Sequence, residues 1–215
     1  MVNLVVIDYG IGNVFSVCNA LKQIGFEPKL TRDPETIRTA DMVILPGVGA
    51  FSRAMENLRE FGLDVEIAAY AKTGKPLLGI CIGMQVLMDL STEFGNHAGL
   101  GLIPGEVERI KPTAKSGAVL RIPHIAWSQV SSATAPSSQA WYGQAFRTPA
   151  HYYFVHSFMA YPTDADHALA TAYYGGHKIT AAVGLDNVIG VQFHPERSGP
   201  AGLKLLKYLV ETGTK

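Results

Sequence analysis

Apolar positions in the first hundred residues keep returning to one arrangement. Leu4-Val5-Val6-Ile7 is an almost unbroken apolar run, after which Val14, Val17, Leu21 and Ile24 recur every three or four residues until Gly25 supplies a stop. A short continuous run followed by a helical period predicts a βα unit. The arrangement returns in Met42-Val43-Ile44-Leu45, which closes at Pro46-Gly47 and leads into a helical stretch through Met55 and Leu58 to Phe61. It returns again in Pro76-Leu77-Leu78-Gly79-Ile80-Cys81, followed by helix-like Gly83 to Met88. Strands that are apolar on both faces belong to a parallel sheet covered by helices on both sides.

Beyond about residue 100 the texture changes. Val119 to Trp127, His151 to Tyr161, Ala168 to Tyr174 and Lys178 to Gly184 read as strands with few helical periods between them, which predicts an antiparallel addition. Ser131 to Gln144, rich in Ser, Ala and Gln, reads as an exposed loop that marks no domain boundary. A strand over Val188 to Phe193 and a helix from about Gly199 to Thr212 complete the chain. The predicted fold class is α/β: an open, mostly parallel sheet flanked by helices, with an antiparallel C-terminal extension. At 215 residues the chain suits one well-buried core better than two, so a single domain over 1–215 is expected.

Composition narrows the function. Lys plus Arg and Asp plus Glu both total 18, so no basic stripe offers itself to a phosphate backbone and nucleic-acid binding is not expected. The apolar start meets Asp8 within a few residues and carries no basic leader, so it reads as a strand and not as a signal peptide. No apolar run approaches the roughly 20 residues that span a bilayer. Two cysteines, Cys18 and Cys81, exclude a disulfide framework and any cysteine-rich zinc site, and fit a reducing cytoplasm. Cys18 shares the helical period of Val14, Val17 and Leu21 and reads as core. The histidines show no pairing with carboxylates or cysteines that suggests a metal cage, and neither metal nor cofactor is expected.

Cys81 has another setting. In Gly79-Ile80-Cys81-Ile82-Gly83 it stands where an apolar strand turns sharply into a helix, with a glycine two residues away on each side. Glycines relieve crowding where strand and helix close up, and the turn lifts the side chain clear of the sheet, as in a nucleophile elbow. The start of a helix also favours the thiolate, the reactive form. Taken alone, the pattern also suits a buried cysteine beside packing glycines. A second element, Gly190-Val191-Gln192-Phe193-His194-Pro195-Glu196, ends a β-like run with His194 and Glu196 two positions apart. In extended chain such residues share a face, so the carboxylate can hold the imidazole tautomer and steady an imidazolium. Alone it is more simply a strand end; beside an elbow cysteine it reads as a base and its orienter. The third element, Pro46-Gly47-Val48-Gly49-Ala50-Phe51, lies at the C-terminal end of a predicted strand, where open α/β sheets bind ligands. Its glycines free backbone amides to approach a substrate, and the Val48 or Gly49 N–H can join that of Ile82 to hold an oxyanion. A plain βα turn would look similar.

Together, in this order, the three elements resemble the triad-type (class I) glutamine amidotransferases, with Gly79-Ile80-Cys81-Ile82-Gly83-Met84-Gln85 as the nucleophile motif. Within them the chain is similar to the glutaminase subunits of imidazole glycerol phosphate synthase. Asp8-Tyr9-Gly10-Ile11-Gly12-Asn13, Ile122-Pro123-His124-Ile125-Ala126-Trp127, Tyr153-Phe154-Val155-His156-Ser157-Phe158 and Gln192 to Gly199 carry that likeness, nearly end to end. The resemblance implies that glutamine lies over the elbow and touches Gly47, with Gln85 and Glu93 at its amino-acid end and the Ser157 and Phe158 backbone close by. Cys81 would attack the side-chain amide, and His194 would protonate the departing ammonia and then activate water. It further implies a (β/α)8-barrel cyclase subunit as heterodimeric partner, docked at Asn13, Trp127, Tyr153 and Arg197. Ala126, Ser128 and Arg197 stand where Gly, Asn and Lys are usual, all near that docking face, so an amidotransferase serving a different synthase stays open.

Two other classes compete. Gly10-Ile11-Gly12 after the first strand invites a dinucleotide reading, but position 15 is Phe where a third glycine is needed, and no ribose-binding acid closes the second strand. A cysteine hydrolase of peptides or esters shares the triad logic, and only the family motifs argue against it.

Overall fold

The computed structural model describes residues 2–133 and 140–215. Its elements are β1 (Leu4–Ile7), α1 (Val14–Gln23), β2 (Lys29–Thr31), α2 (Pro34–Thr39), β3 (Met42–Gly47), α3 (Phe51–Glu60), α4 (Leu63–Ala71), β4 (Leu77–Cys81) and α5 (Ile82–Gln85). There follow β5 (Met88–Ser91), β6 (His97–Ala98), β7 (Ile103–Arg109), β8 (His124–Ser132), β9 (Ala150–His156), β10 (Phe158–Pro162), β11 (Ala168–Tyr174), β12 (His177–Leu185), β13 (Val188–Val191) and α6 (Gly199–Gly213).

A nine-stranded sheet runs in the order β2-β1-β3-β4-β13-β12-β11-β8-β9. From β2 to β13 neighbours are parallel, and from β13 to β9 they are antiparallel. The parallel half is apolar throughout because it is covered twice: every residue of β1, β3, β4 and β13 is buried. Right-handed crossovers place α1, which leads outward to β2, opposite α2, α3 and α4, which lead back across β1 toward β4. α1 packs with α6, and α4 packs with both α2 and α3. Pro34 opens α2 where its missing N–H costs nothing, and the Asp33 carboxylate caps it, accepting from the Thr36 amide at 2.8 Å.

The structure departs from the sequence pattern at four places. The helix after Cys81 lasts one turn, because the Val86 and Leu87 carbonyls accept from the Leu100, Leu102 and Ile103 amides and Met88 then enters β5. That strand belongs to a second sheet, β10-β7-β5-β6, which the apolar pattern does not announce. The strand expected from Val119 begins only at His124, since Pro123 has no N–H to give a ladder. The long strand expected over 151–161 is two: β9 pairs with β8, then the chain changes sheet at Ser157 and β10 pairs with β7. Residues 131–144 are not one exposed loop either. Ser131 and Ser132 finish β8 and Tyr142 is buried; residues 134–139 lie outside the described residues.

The end of the large sheet curls back on its middle. The Tyr153 carbonyl of the last strand, β9, accepts from the His194 amide at 2.9 Å, and its amide donates to Ser198 Oγ at 3.0 Å. An edge that would otherwise be bare is thus covered by the segment that follows β13.

Candidate active site

β3, β4 and β13 are adjacent and in register, with Gly47 opposite Cys81 and Gly190 and Val191 opposite Gly79 and Ile80. Their C-terminal ends therefore deliver Gly47–Gly49, Cys81 and the 192–196 segment to one spot. Cys81 has φ 57° and ψ −110°, a conformation that non-glycine residues rarely hold. The turn is this tight because α5 lies directly against β3 and β4. A Cβ on Gly83 would stand 1.8 Å from the Leu45 carbonyl oxygen, and one on Gly79 would stand 2.6 Å from that of Gly83. Gly47 has the same constraint, with the Gly83 amide and the Tyr9 hydroxyl both 2.7 Å from any added Cβ.

His194 follows β13 in extended conformation, and its Nδ1 lies 2.9 Å from Glu196 Oε1. Both side chains are almost fully buried, at 4% and 1% exposure, which makes the pair strong and selects the tautomer with a proton on Nδ1. The Ser198 hydroxyl fixes the backbone of the histidine by donating to the His194 carbonyl at 2.6 Å. Burial works against charging this imidazole. The hydrogen bond to Glu196, its carboxylate charge and the nearness of Cys81 outweigh it, so His194 is held well above the usual histidine range. Its Nε2 makes no fully formed hydrogen bond among the described residues, although Cys81 is near enough to raise its basicity. Catalytic contacts are commonly this loose before substrate arrives.

A cavity of about 260 Å³ opens over the sulfur, lined by Val48, Gly49, Cys81, Ile82, Gln85, Glu93, Ser157, Phe158 and His194 among others. Cys81, His194 and the three expected oxyanion residues thus line one cavity, together with four of the five expected glutamine contacts; Glu196 reaches it only through its bond to His194, and Gly47 lies beside Cys81. Gln85 and Glu93 are buried. Glu93 accepts from the Phe51 amide at 2.6 Å, which ties the start of α3 to the cavity wall. Ser157 and Phe158 reach the cavity because the chain changes sheets there.

Trp127, Tyr153 and Arg197 also meet, on the outer face beside the cavity. Trp127 pairs with Tyr153 across β8 and β9, their rings 6.1 Å apart, and the Arg197 guanidinium lies 5.0 Å over the Tyr153 ring. Asn13 precedes α1, which packs against the Pro195–Arg197 turn. Trp127 and Ile125 are more than half exposed and alternate with inward residues, an apolar face of the kind that meets another protein.

Sequence reasoning passed over four contributors. Gln192 donates to Cys81 Sγ at 3.8 Å and accepts from Gln85 Nε2 at 3.0 Å. The Tyr9 hydroxyl donates to the Pro46 carbonyl at 2.8 Å below the Gly47 turn, its acidity suppressed by burial and by the Cys81 charge. His156 and His124 are bonded to each other in the wall of the site. Gln192 could have been suspected from period two, since it precedes His194 by two positions; the histidine pair is separated by 32 residues and has no local signal.

The chain belongs to the class-I glutamine amidotransferase family, whose model matches residues 5–211. Relatives described as imidazole glycerol phosphate synthase subunit HisH include one from Lactococcus lactis, 46% identical over 98% of this chain and 99% of its own length. One from Microcystis aeruginosa is 41% identical over 98% of this chain and 96% of its own length. The fold also matches a solved glutamine amidotransferase with a TM-score of 0.73 at 21% identity, covering 99% of this chain and 100% of that one.

Proposed function

We infer that this chain is the glutaminase subunit of an imidazole glycerol phosphate synthase, hydrolysing glutamine to glutamate and passing ammonia to a cyclase subunit in histidine biosynthesis. The observation that carries the chemistry is the strained Cys81 facing the same cavity as the His194–Glu196 pair. Near-full-length identity to HisH proteins carries the pathway.

In this reading the Cys81 thiolate adds to the side-chain amide carbon of glutamine, and the amides of Ile82 and of Val48 or Gly49 receive the oxyanion. The His194 imidazolium gives its Nε2 proton to the departing nitrogen, so ammonia leaves and a γ-glutamyl thioester remains. Neutral His194 then takes a proton from water, whose oxygen attacks the thioester and releases glutamate and the thiolate. Glu196 stays ionised and holds the imidazole throughout. Gly47, Gln85, Glu93 and the Ser157–Phe158 backbone surround the amino-acid end of the substrate. A (β/α)8-barrel cyclase docks on the face formed by Asn13, Trp127, Tyr153 and Arg197. Among the described residues no helix is long and apolar enough to cross a membrane. The likeness to HisH biosynthetic proteins supports a reaction in the cytoplasm.

The test is glutamate release with and without the histidine-pathway cyclase and its nucleotide ligand. Strong stimulation is expected. Stimulation by another synthase and not by that cyclase would keep the amidotransferase and discard the pathway.

A further inference from the structure

His124 and His156 stand directly opposite each other on the inner face of β8 and β9 and are almost inaccessible, at 0% and 6% exposure. The triad does not use them, yet His156 lines the cavity. Their hydrogen bonds have only one self-consistent direction. The Phe158 carbonyl can only accept, and it takes His156 Nδ1–H at 2.8 Å and Gln85 Nε2–H at 3.0 Å, filling both lone pairs. His156 Nε2 is therefore an acceptor, and His124 Nδ1, 3.0 Å away, must be its donor. That leaves His124 Nε2 to accept from the Ser128 hydroxyl at 3.0 Å.

Gln85 Nε2 gives its second hydrogen to Gln192 Oε1 at 3.0 Å, and Gln192 Nε2 faces the sulfur. With its nitrogen committed twice, the Gln85 amide cannot flip. Gln85 lines the cavity, and its Oε1, buried and without a partner among the described residues, is the polar atom of that side chain left uncommitted. Adding a proton to His156 Nε2 would set two N–H groups face to face, and burial favours the neutral ring, held down at about 3.

We propose that His156, oriented by His124, is a positioning residue for glutamine: through the Phe158 carbonyl it locks the Gln85 amide so that Oε1 is presented to the ammonium group of the substrate. This rests on the glutaminase reading above. A histidine that merely filled the wall would not require one tautomer, nor would it share its acceptor with a residue of the site.

The experiment uses 6-diazo-5-oxo-L-norleucine, a glutamine-shaped diazoketone, on the chain with its cyclase bound. Cys81 Sγ bonds to the diazo carbon, which takes up the proton held by His194 as N2 leaves, and intact mass reports the adduct. Iodoacetamide, which needs no amino-acid site, measures the sulfur alone. In His156→Leu the half-saturating concentration of the diazoketone is expected to rise about tenfold, the loss of one buried hydrogen bond, with the iodoacetamide rate unchanged within about twofold. His156→Asn restores a donor near the Nδ1 position and is expected to stay close to the unsubstituted chain. Ser128→Ala, at a half-buried position that does not threaten folding, is expected to give a rise of about two- to threefold by loosening the outer donor.

An unchanged half-saturating concentration in folded His156→Leu overturns the proposal. So does an equal loss in His156→Leu and His156→Asn accompanied by a slower iodoacetamide reaction, which would mark a general disturbance. If His156→Leu does not fold, Ser128→Ala decides, and no change there overturns the proposal. Failure of the unsubstituted chain to be labelled at Cys81 would instead remove the glutaminase reading, and the proposal with it.

Discussion

The two halves of the large sheet hold the site by different means. On the parallel side, β3, β4 and β13 fix Gly47, Cys81 and Gln192 through backbone register and through glycines that leave no room for a Cβ. On the antiparallel side, β8 and β9 hold their contributions through side-chain hydrogen bonds, from Ser128 through two histidines to the Phe158 carbonyl. The first construction leaves no room for even a methyl group at Gly47, Gly79 or Gly83. The second is adjustable, since each bond is individually modest. Cys81, proposed as the nucleophile, sits on the rigid side with Gln85 at the end of α5, and the Ser157–Phe158 wall and the exposed Trp127 face sit at the adjustable one.

Substitutions separate the two. Cys81→Ser is expected to lower glutamine-dependent turnover by at least about 10⁴-fold, while synthesis from added ammonium salts by the complex persists. Normal glutamine hydrolysis by that variant would remove the nucleophile assignment. Gly83→Ala drives a methyl into the Leu45 carbonyl and should cost about 3 kcal/mol or more in urea unfolding; a loss under about 1 kcal/mol would show that the elbow is less constrained than its contacts imply. Glu196→Gln should reduce kcat by about 10²- to 10³-fold. Because the carboxylate helps raise the basicity of His194, the alkaline limb of kcat should also move to lower pH in that variant; an unmoved limb counts against the pairing. Trp127→Ala, on the adjustable side, should weaken cyclase binding about tenfold with little change in iodoacetamide reactivity, as read by titration calorimetry.

The smallest effect is on acid stability. Burial holds His124 at about 4 and His156 at about 3, against an unfolded value of 6.5. The unfolded chain thus binds more protons below pH 6.5, so the contribution of the pair is complete above that pH and is lost as pH falls toward the folded values. His194 has the opposite sign: its contribution is complete below 6.5 and fades only in the alkaline range, so it does not mask the acid loss. The melting temperature should fall by a few degrees, roughly 5, between pH 6.5 and 4.5, and His156→Asn should flatten that slope.

The rigid half was largely legible in the amino-acid pattern. Continuous apolar runs, paired glycines and a cysteine between them state a buried parallel strand and a tight turn in local terms, and Met42 to Leu45 or Leu77 to Cys81 need no distant partner to be read. The adjustable half was not. β5 replaces a helical continuation only because residues 100–103 claim the Val86 and Leu87 carbonyls, and the sheet change at Ser157 is set by pairing with β7. His124 and His156 each look like a strand histidine; only register makes them a pair.

Because Cys81 and the segment carrying His194 issue from neighbouring strands of one ladder, the sulfur and the imidazole travel as a single piece of the scaffold. Chemistry and recognition are then separable engineering problems. The part of the pocket wall that β9 and the Ser157–Phe158 step contribute, and the exposed face around Trp127, can be rebuilt without retuning the alignment of sulfur and imidazole.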